Sequence, residues 1–201
     1  MEVVLIVGVV VVVVWLYVRK SKRSDTSDDD VAPGRPLTYQ AGPGGPVRRR
    51  TWISKEEADE ELVRRDDGSL GVRVDRSDGA LWFVSTESAL RAGKGSLALA
   101  RLGIFYFRVR GTNYYESASI PAGAQVPFRR EPDNPYDANA IALLNPRAGS
   151  PYGYVNKGFS RRISKRLDAG EDWVAISADR DGITVAMMPR ALARELGLVR
   201  S

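Results

Sequence analysis

Between Phe128 and Ile141 the chain gathers three carboxylates (Glu131, Asp133, Asp137), two amides (Asn134, Asn139) and one aromatic ring (Tyr136) around Pro132 and Pro135. Such a set supports two kinds of chemistry. Glu131, Asp133 and Asp137 have the oxygen ligands to hold Mg²⁺ and so to make a metal-dependent nuclease. Alternatively, the carboxylates and amides accept and donate hydrogen bonds to a polar ligand while the ring stacks on it. A third reading involves no ligand. The prolines fix φ and push Glu131 and Asn134 out of the helical region, and Asp and Asn side chains bond nearby backbone N–H groups, so the stretch is equally a self-satisfied bend between two strands. The 201-residue chain has no Cys and no His, which removes thiolate metal sites, disulfides and imidazole acid–base catalysis.

The bend needs strands to hold it. From Gly103 onward short apolar segments alternate with Gly and Pro: Ile104 to Arg110, Gln125 to Arg129, Ala138 to Leu144, Tyr152 to Val155, Trp173 to Ala178 and Ile183 to Met188. Short strands so punctuated predict a small β-barrel. One helix interrupts them, Lys157 to Leu167, with Phe159, Ile163 and Leu167 on one face and Arg161, Arg162, Lys165 and Arg166 outside it. A last helix, Pro189 to Leu196, opens on a favourable N1 proline. Residues 101–201 hold fifteen Lys/Arg against ten Asp/Glu, a net +5 equal to that of the whole chain. Arg129, Arg130, Lys157 and the helix cations near the bend would form a positive groove for a phosphate backbone, and Tyr114, Tyr115 and Tyr136 would add stacking at about 1–3 kcal/mol per base. Buried tyrosines and a merely solvated basic helix face remain the alternative.

Arg130 to Ile141 (Arg-Glu-Pro-Asp-Asn-Pro-Tyr-Asp-Ala-Asn-Ala-Ile) resembles the signature of the HIRAN domain family. Gly111-Thr-Asn-Tyr-Tyr115 upstream resembles the family's Gly-x-x-Tyr-Tyr element, and Gly153-Tyr-Val-Asn-Lys157 is similar to its strand end before a helix. The resemblance runs from about Ile104 to Met188 and implies an OB-like barrel with packed helices. It also implies capture of the 3′ end of single-stranded DNA. In that role Tyr114 and Tyr115 flank or stack the terminal bases, Asn134, Tyr136 and Asp137 line the end pocket, Asp137 accepts from the 3′-hydroxyl and Lys157 neutralises a phosphate. Asn113 departs from the pattern, standing where DNA-end-binding members carry Arg, which removes a charged clamp. No Gly-x-x-x-x-Gly-Lys-Ser/Thr loop is present, so the ATPase motor found beside some members is missing.

The rest of the chain reads as support. Val3 to Val18 is an unbroken apolar run close to the about 17–25 residues that span hydrocarbon, with Trp15 and Tyr17 at its end and Arg19, Lys20, Lys22 and Arg23 directly after it. This pattern predicts a single-pass anchor with the C-terminal bulk in the cytoplasm. Ser24 to Arg50, rich in Asp, Pro and Gly, predicts a disordered tether. Ser54 to Arg65 starts with a Ser-x-x-Glu capping box, Leu70 to Val74 and Ala80 to Val84 fit a hairpin turning over Asp75 to Gly79, and Ser85 or Thr86 fits the cap of a helix through Arg91. The expected organisation is therefore an anchor (1–20), a linker (21–50), an extension of open role (51–100) and a mainly β, OB-like or SH3-like HIRAN barrel (101–201). The expected partner of this cofactor-free, non-catalytic domain is nucleic acid, specifically single-stranded DNA, contacted by Asn113, Tyr114, Tyr115, Arg130, Asn134, Tyr136, Asp137, Lys157, Arg161, Arg162 and Lys165. A peptide-binding module using an edge strand such as Ile104 to Arg110 is the competing class.

Overall fold

The computed structural model describes residues 50–116 and 118–200. Contacts divide the chain into Met1–Val47 and Arg48–Ser201, and every described residue belongs to the second unit. The expected anchor and nearly all of the expected linker lie outside the described residues. Among the described residues no helix is long and apolar enough to cross a membrane.

The capping box forms as its spacing requires: Glu57 N–H donates to Ser54 Oγ (3.3 Å) and Ser54 N–H to Glu57 Oε2 (2.9 Å). Helix α1 (Lys55–Glu61) nevertheless stops short of Arg65. Residues 63–65 fold back on 69–71 instead, with Gly71 N–H bonded to Val63 O (2.8 Å) and Arg65 N–H to Ser69 O (2.9 Å). Only glycine fits at 71, since a Cβ there would lie 1.8 Å from Glu61 O. The hairpin β1 (Val72–Ser77) and β2 (Ala80–Ser85) is present, but its turn narrows to Asp78-Gly79. Both have positive φ (56° and 70°), the requirement of a two-residue type I′ turn. The helix expected from Ser85 or Thr86 through Arg91 does not form. The Ser85 hydroxyl donates to Glu61 and accepts from the N–H groups of Glu87 and Ser88, Ala89 turns to φ 58°, and Arg91 bridges to Trp52 and Val84. An unanticipated helix, α2 (Leu97–Leu102), is capped by Ser96 and ended by Gly103 in the left-handed region.

The six expected strands exist but do not close a barrel. They make two three-stranded antiparallel sheets. One has the order β3 (Phe105–Arg108), β8 (Thr184–Pro189), β7 (Trp173–Ser177), and the other β4 (Phe128–Arg130), β5 (Ile141–Leu144), β6 (Pro151–Tyr154). Among the described residues, β pairing between the two sheets is limited to isolated bridges, Arg110 with Tyr154 and Gln125 with Ile176. Continuous ladders fail there because Gly111 turns the chain left-handed (φ 78°) after β3, and Pro127, which has no N–H, separates Gln125 from β4. Helix α3 (Lys157–Asp168) follows β6, and α4 (Arg190–Glu195) follows β8, with Pro189 as its N-cap rather than its first residue.

The β3-β8-β7 sheet is covered on both faces. Ile104, Tyr106, Val174, Ile176, Ala186 and Met188 pack with Leu62, Phe83, Leu99 and Leu192, contributed by residues 51–100 and the C-terminal helix. The alternate residues Phe105, Phe107, Trp173, Val185 and Met187 pack with Ile141, Leu143, Tyr152, Phe159 and Ile163. Residues 51–100 thus serve as the lid of one core layer, at about 1.5–3 kcal/mol for each large apolar side chain fully buried.

Candidate nucleic-acid interface

The tyrosine turn is fixed by a close backbone crossing. Arg110 N–H donates to Tyr154 O (2.9 Å) and Tyr154 N–H returns to Arg110 O (2.8 Å). Gly153 permits this approach, because a Cβ on it would lie 2.3 Å from Val109 Cγ1 and 2.8 Å from Arg110 O. Gly111 then starts a single 3-10 turn, Thr112–Tyr114, that turns the next two rings outward: Tyr114 is 63% and Tyr115 40% exposed. The Tyr115 ring leans on that of Tyr154, with centroids 5.8 Å apart.

The proline-bracketed bend satisfies itself as its residue types predict. Asn134 Oδ1 accepts from the N–H groups of Tyr136 (3.0 Å) and Asp137 (3.3 Å), and Asp137 Oδ1 accepts from Asn139 N–H (2.8 Å) and Nδ2 (3.3 Å). Tyr136 is left at the tip, 87% exposed. Two side chains hold the parts together: Tyr154, which the sequence did not single out, and Glu131, which it singled out only as a metal ligand. Glu131 accepts from Arg129 (2.8 Å), the Asn134 amide (3.0 Å) and the Tyr154 hydroxyl (3.2 Å). A continuous path therefore runs from Tyr115 through Tyr154 and Glu131 to Asn134. Burial pushes the Glu131 carboxyl up, but its bonds to Arg129, Asn134 and Tyr154 outweigh that and hold it below the usual carboxylate value. Burial, with Tyr115 and Glu131 alongside, raises the Tyr154 phenol above its usual range. The available signal for Tyr154 was its place after Gly153 in the strand-end element. For Glu131 it was its place at the exit of a strand, where a carboxylate can reach the neighbouring strand.

Helix α3 is joined to the bend. Asn156 caps it, accepting from Phe159 N–H (3.1 Å), and the Ser164 hydroxyl donates to Asn139 Oδ1 (3.1 Å). Phe159 and Ile163 face the core, whereas Lys157, Arg161, Arg162 and Lys165 are exposed and make no ion pair among the described residues. Asn113 is exposed within the tyrosine turn. Arg130 occupies a different kind of place. Its side chain is only 19% exposed, pairs with Asp168 through Nε and an Nη (3.1 Å each) and donates to Ala140 O (3.3 Å), so it straps β4 to the end of α3. The structure brings the tyrosine turn, the bend and α3 into one bonded assembly. The α3 cations join it only through their helix.

The carboxylates do not assemble as the nuclease alternative needs. Glu131 is engaged by Arg129, Asn134 and Tyr154, Asp137 turns onto Asn139, and Asp133 is exposed on the bend. Among the described residues no group of three or more Asp or Glu side chains is placed to hold a metal ion. The edge strand named for peptide binding pairs with β8 on one side, and at Arg110 its other side is taken by Tyr154.

Residues 102–179 match the model of the HIRAN domain family. The match covers less than half of the chain and contains the tyrosine turn, the bend and α3. Solved structures similar to this chain include the crystal structure of the HIRAN domain of human HLTF, at 21% identity over 47% of this chain and 87% of that one, with a TM-score of 0.39. The NMR structure of the HLTF HIRAN domain in its DNA-bound conformation is 21% identical over 47% of this chain and 83% of that one, with a TM-score of 0.34. A Lactobacillus plantarum protein is 21% identical over 43% of this chain and 87% of its own, with a TM-score of 0.36. No curated protein gives a significant match.

Proposed function

We propose that the HIRAN segment is a non-catalytic nucleic-acid-binding module that receives the free 3′ end of a single strand at the tyrosine turn and the Asn134–Asp137 bend. The observation that carries this reading is the exposure of Tyr114 and Tyr136, at 63% and 87%, on turns closed by the hydrogen bonds Tyr114 N–H to Gly111 O (2.9 Å) and Tyr136 N–H to Asn134 Oδ1 (3.0 Å). Core tyrosines would have been buried, whereas rings presented on a fixed bend suit stacking with unpaired bases. The match to the HIRAN family, a member of which has a structure in a DNA-bound conformation, points the same way.

Asp137 supplies end selection. One of its oxygens is engaged by Asn139, and the other has no hydrogen bond among the described residues, leaving an acceptor that welcomes a 3′-hydroxyl and repels a 3′-phosphate. With Asn113 replacing a cation in the turn, phosphate neutralisation falls to Lys157 and its helix. Val3 to Val18 would fix the module to a membrane as a single-pass anchor, with Lys and Arg after it keeping the module on the cytoplasmic side.

Fluorescence anisotropy of the purified full chain with labelled oligonucleotides ending in a 3′-hydroxyl or a 3′-phosphate tests the reading. Preferential binding of the hydroxyl end, reduced to no preference by Asp137→Ala and weakened by Tyr136→Ala, is expected. Equal affinity for the two ends in the unmodified protein would remove end recognition, and no binding of either would remove the nucleic-acid reading. Alkaline carbonate extraction of membranes checks the anchor, which predicts that the chain stays in the pellet.

A further inference from the structure

The outer face of α3 carries more positive charge than its own fold uses. Lys157, Arg161 and Lys165 stand one helical turn apart in a row of about 12 Å, with Arg162 beside it. Repulsion between like charges at this spacing costs about 0.2–0.5 kcal/mol per pair, and nothing on the helix offsets it. The acids at the C-terminal end of the helix are committed elsewhere: Asp168 to Arg130 at 3.1 Å, and Glu171 to Arg166 at 2.9 Å. The four outer cations have no carboxylate partner among the described residues, although two ion pairs form at the same end of the helix. The burial of Phe159, Ser160, Ile163 and Ser164 accounts for the inner face and leaves the outer one unexplained.

We infer that this row is a track for the nucleic-acid backbone, continuing from the tyrosine bend, so that the preferred ligand is a strand several nucleotides longer than the end pocket itself. The inference rests on the nucleic-acid reading of the bend and adds to it the course and the length of the ligand. A linear row fits a linear polyanion. A stacked strand advancing about 3.4 Å per nucleotide presents three to four phosphates along about 12 Å, whereas a single small anion calls for donors that converge. A lipid surface fits less well, since the outer positions Lys157, Gly158, Arg161, Arg162, Lys165 and Ala169 include no large apolar side chain to enter the bilayer interface. The Asn139–Ser164 hydrogen bond (3.1 Å) holds the row in a constant relation to the bend.

The test uses the full chain in phosphatidylcholine nanodiscs, with 3′-hydroxyl oligothymidylates of about four and about twelve nucleotides, the second long enough to pass the row at ~3.4 Å per nucleotide. Neutralising four phosphates of a single strand gives a salt slope of about −2.8, so affinity for the long strand should fall about 50-fold between about 50 and 200 mM salt. In the double variant Arg161→Gln, Lys165→Gln the same salt step should cost about 7-fold for the long strand, and the short strand should lose much less affinity than the long one. Circular dichroism of the variant confirms that α3 is intact. If the short strand binds with its end preference but the long one gains nothing, or if the variant weakens both equally, the track is wrong while end recognition stands. Long-strand binding with this slope but no end preference sinks the pocket and keeps the track. No binding of either length sinks both. Replacing part of the phosphatidylcholine with phosphatidylserine should leave the strand affinities alone. Loss of long-strand binding on that change, in the unmodified protein but not the variant, would make the row a lipid contact instead.

Discussion

Adding one methyl group at Gly153 should break the junction that presents the tyrosine pair. In Gly153→Ala the new Cβ would start 2.3 Å from Val109 Cγ1 and 2.8 Å from Arg110 O, so the two chains must part by about 1 Å to reach ordinary contact distance. Val109 is 3% exposed and enclosed by the second core cluster, so it cannot yield without disturbing its neighbours. Overpacking of this kind costs about 1–3 kcal/mol. Parting the strands also weakens the reciprocal Arg110–Tyr154 hydrogen bonds of 2.9 and 2.8 Å, each contributing about 0.5–1.5 kcal/mol. Together the loss is about 2–4 kcal/mol, which at about 2 kcal/mol per M of urea moves the unfolding midpoint down by about 1–2 M. Urea titration followed by tryptophan fluorescence reads this directly, and affinity for the 3′-hydroxyl oligonucleotide should fall in parallel because Tyr115 leans on Tyr154. Gly158→Ala is the matched control. Its Cβ meets only Asn156 Oδ1, at 3.4 Å, and a helical alanine is neutral or stabilising by up to about 1 kcal/mol. A Gly153→Ala midpoint indistinguishable from that of the parent protein would refute the close crossing as the device that positions the turn.

Glu131 has its folded pKa held below the unfolded value by Arg129, Asn134 and Tyr154, so its stabilising contribution is complete above the unfolded carboxylate pKa and is lost as pH falls through the folded one. The stability difference between the parent and Glu131→Gln, from urea midpoints at several pH values, should be largest near neutrality and shrink in acid; a gap that widens in acid would contradict the network. Leu99→Ala, at a fully buried position where α2 meets the central sheet, should cost about 2–5 kcal/mol by chemical denaturation, although Leu99 lies before the HIRAN match. A cost below 1 kcal/mol would mean that residues 51–100 are a loose appendage.

The parts legible in the sequence are those whose cause is local. The strands after Gly103 show as apolar alternation between Gly and Pro, the Ser54 capping box names its own helix start, and the Asn134 and Asp137 caps follow from residue types that bond backbone two or three positions on. The features that escaped depend on what the chain meets later. Helix α1 ends at Glu61 because 63–65 finds a partner at 69–71, and Ser85 caps a turn rather than a helix because Ala89 leaves the helical region. The hairpin turn was narrower than expected because Asp78-Gly79 alone meets the two positive φ angles. A closed barrel is what six strands suggest, yet closure depends on edges that Gly111 and Pro127 interrupt. At the site, Arg130 looks in sequence like another groove cation, and only the position of Asp168, on the far end of α3, turns it into a strap. Exposure of the tyrosines was equally invisible, since a ring in a turn reads the same whether it points in or out.

The placement of β8 has a practical consequence. This strand, Thr184–Pro189, hydrogen-bonds to β3 on one side and β7 on the other, yet it lies after residue 179, where the family match stops. A gene fragment trimmed to the matched boundaries would delete the shared neighbour of two strands and strip their ladders at once, leaving open β edges prone to self-association. Sound expression boundaries are therefore set by the packed sheet and not by the recognisable motif, and they must run at least through Leu198 and upstream far enough to keep Leu62, Phe83 and Leu99.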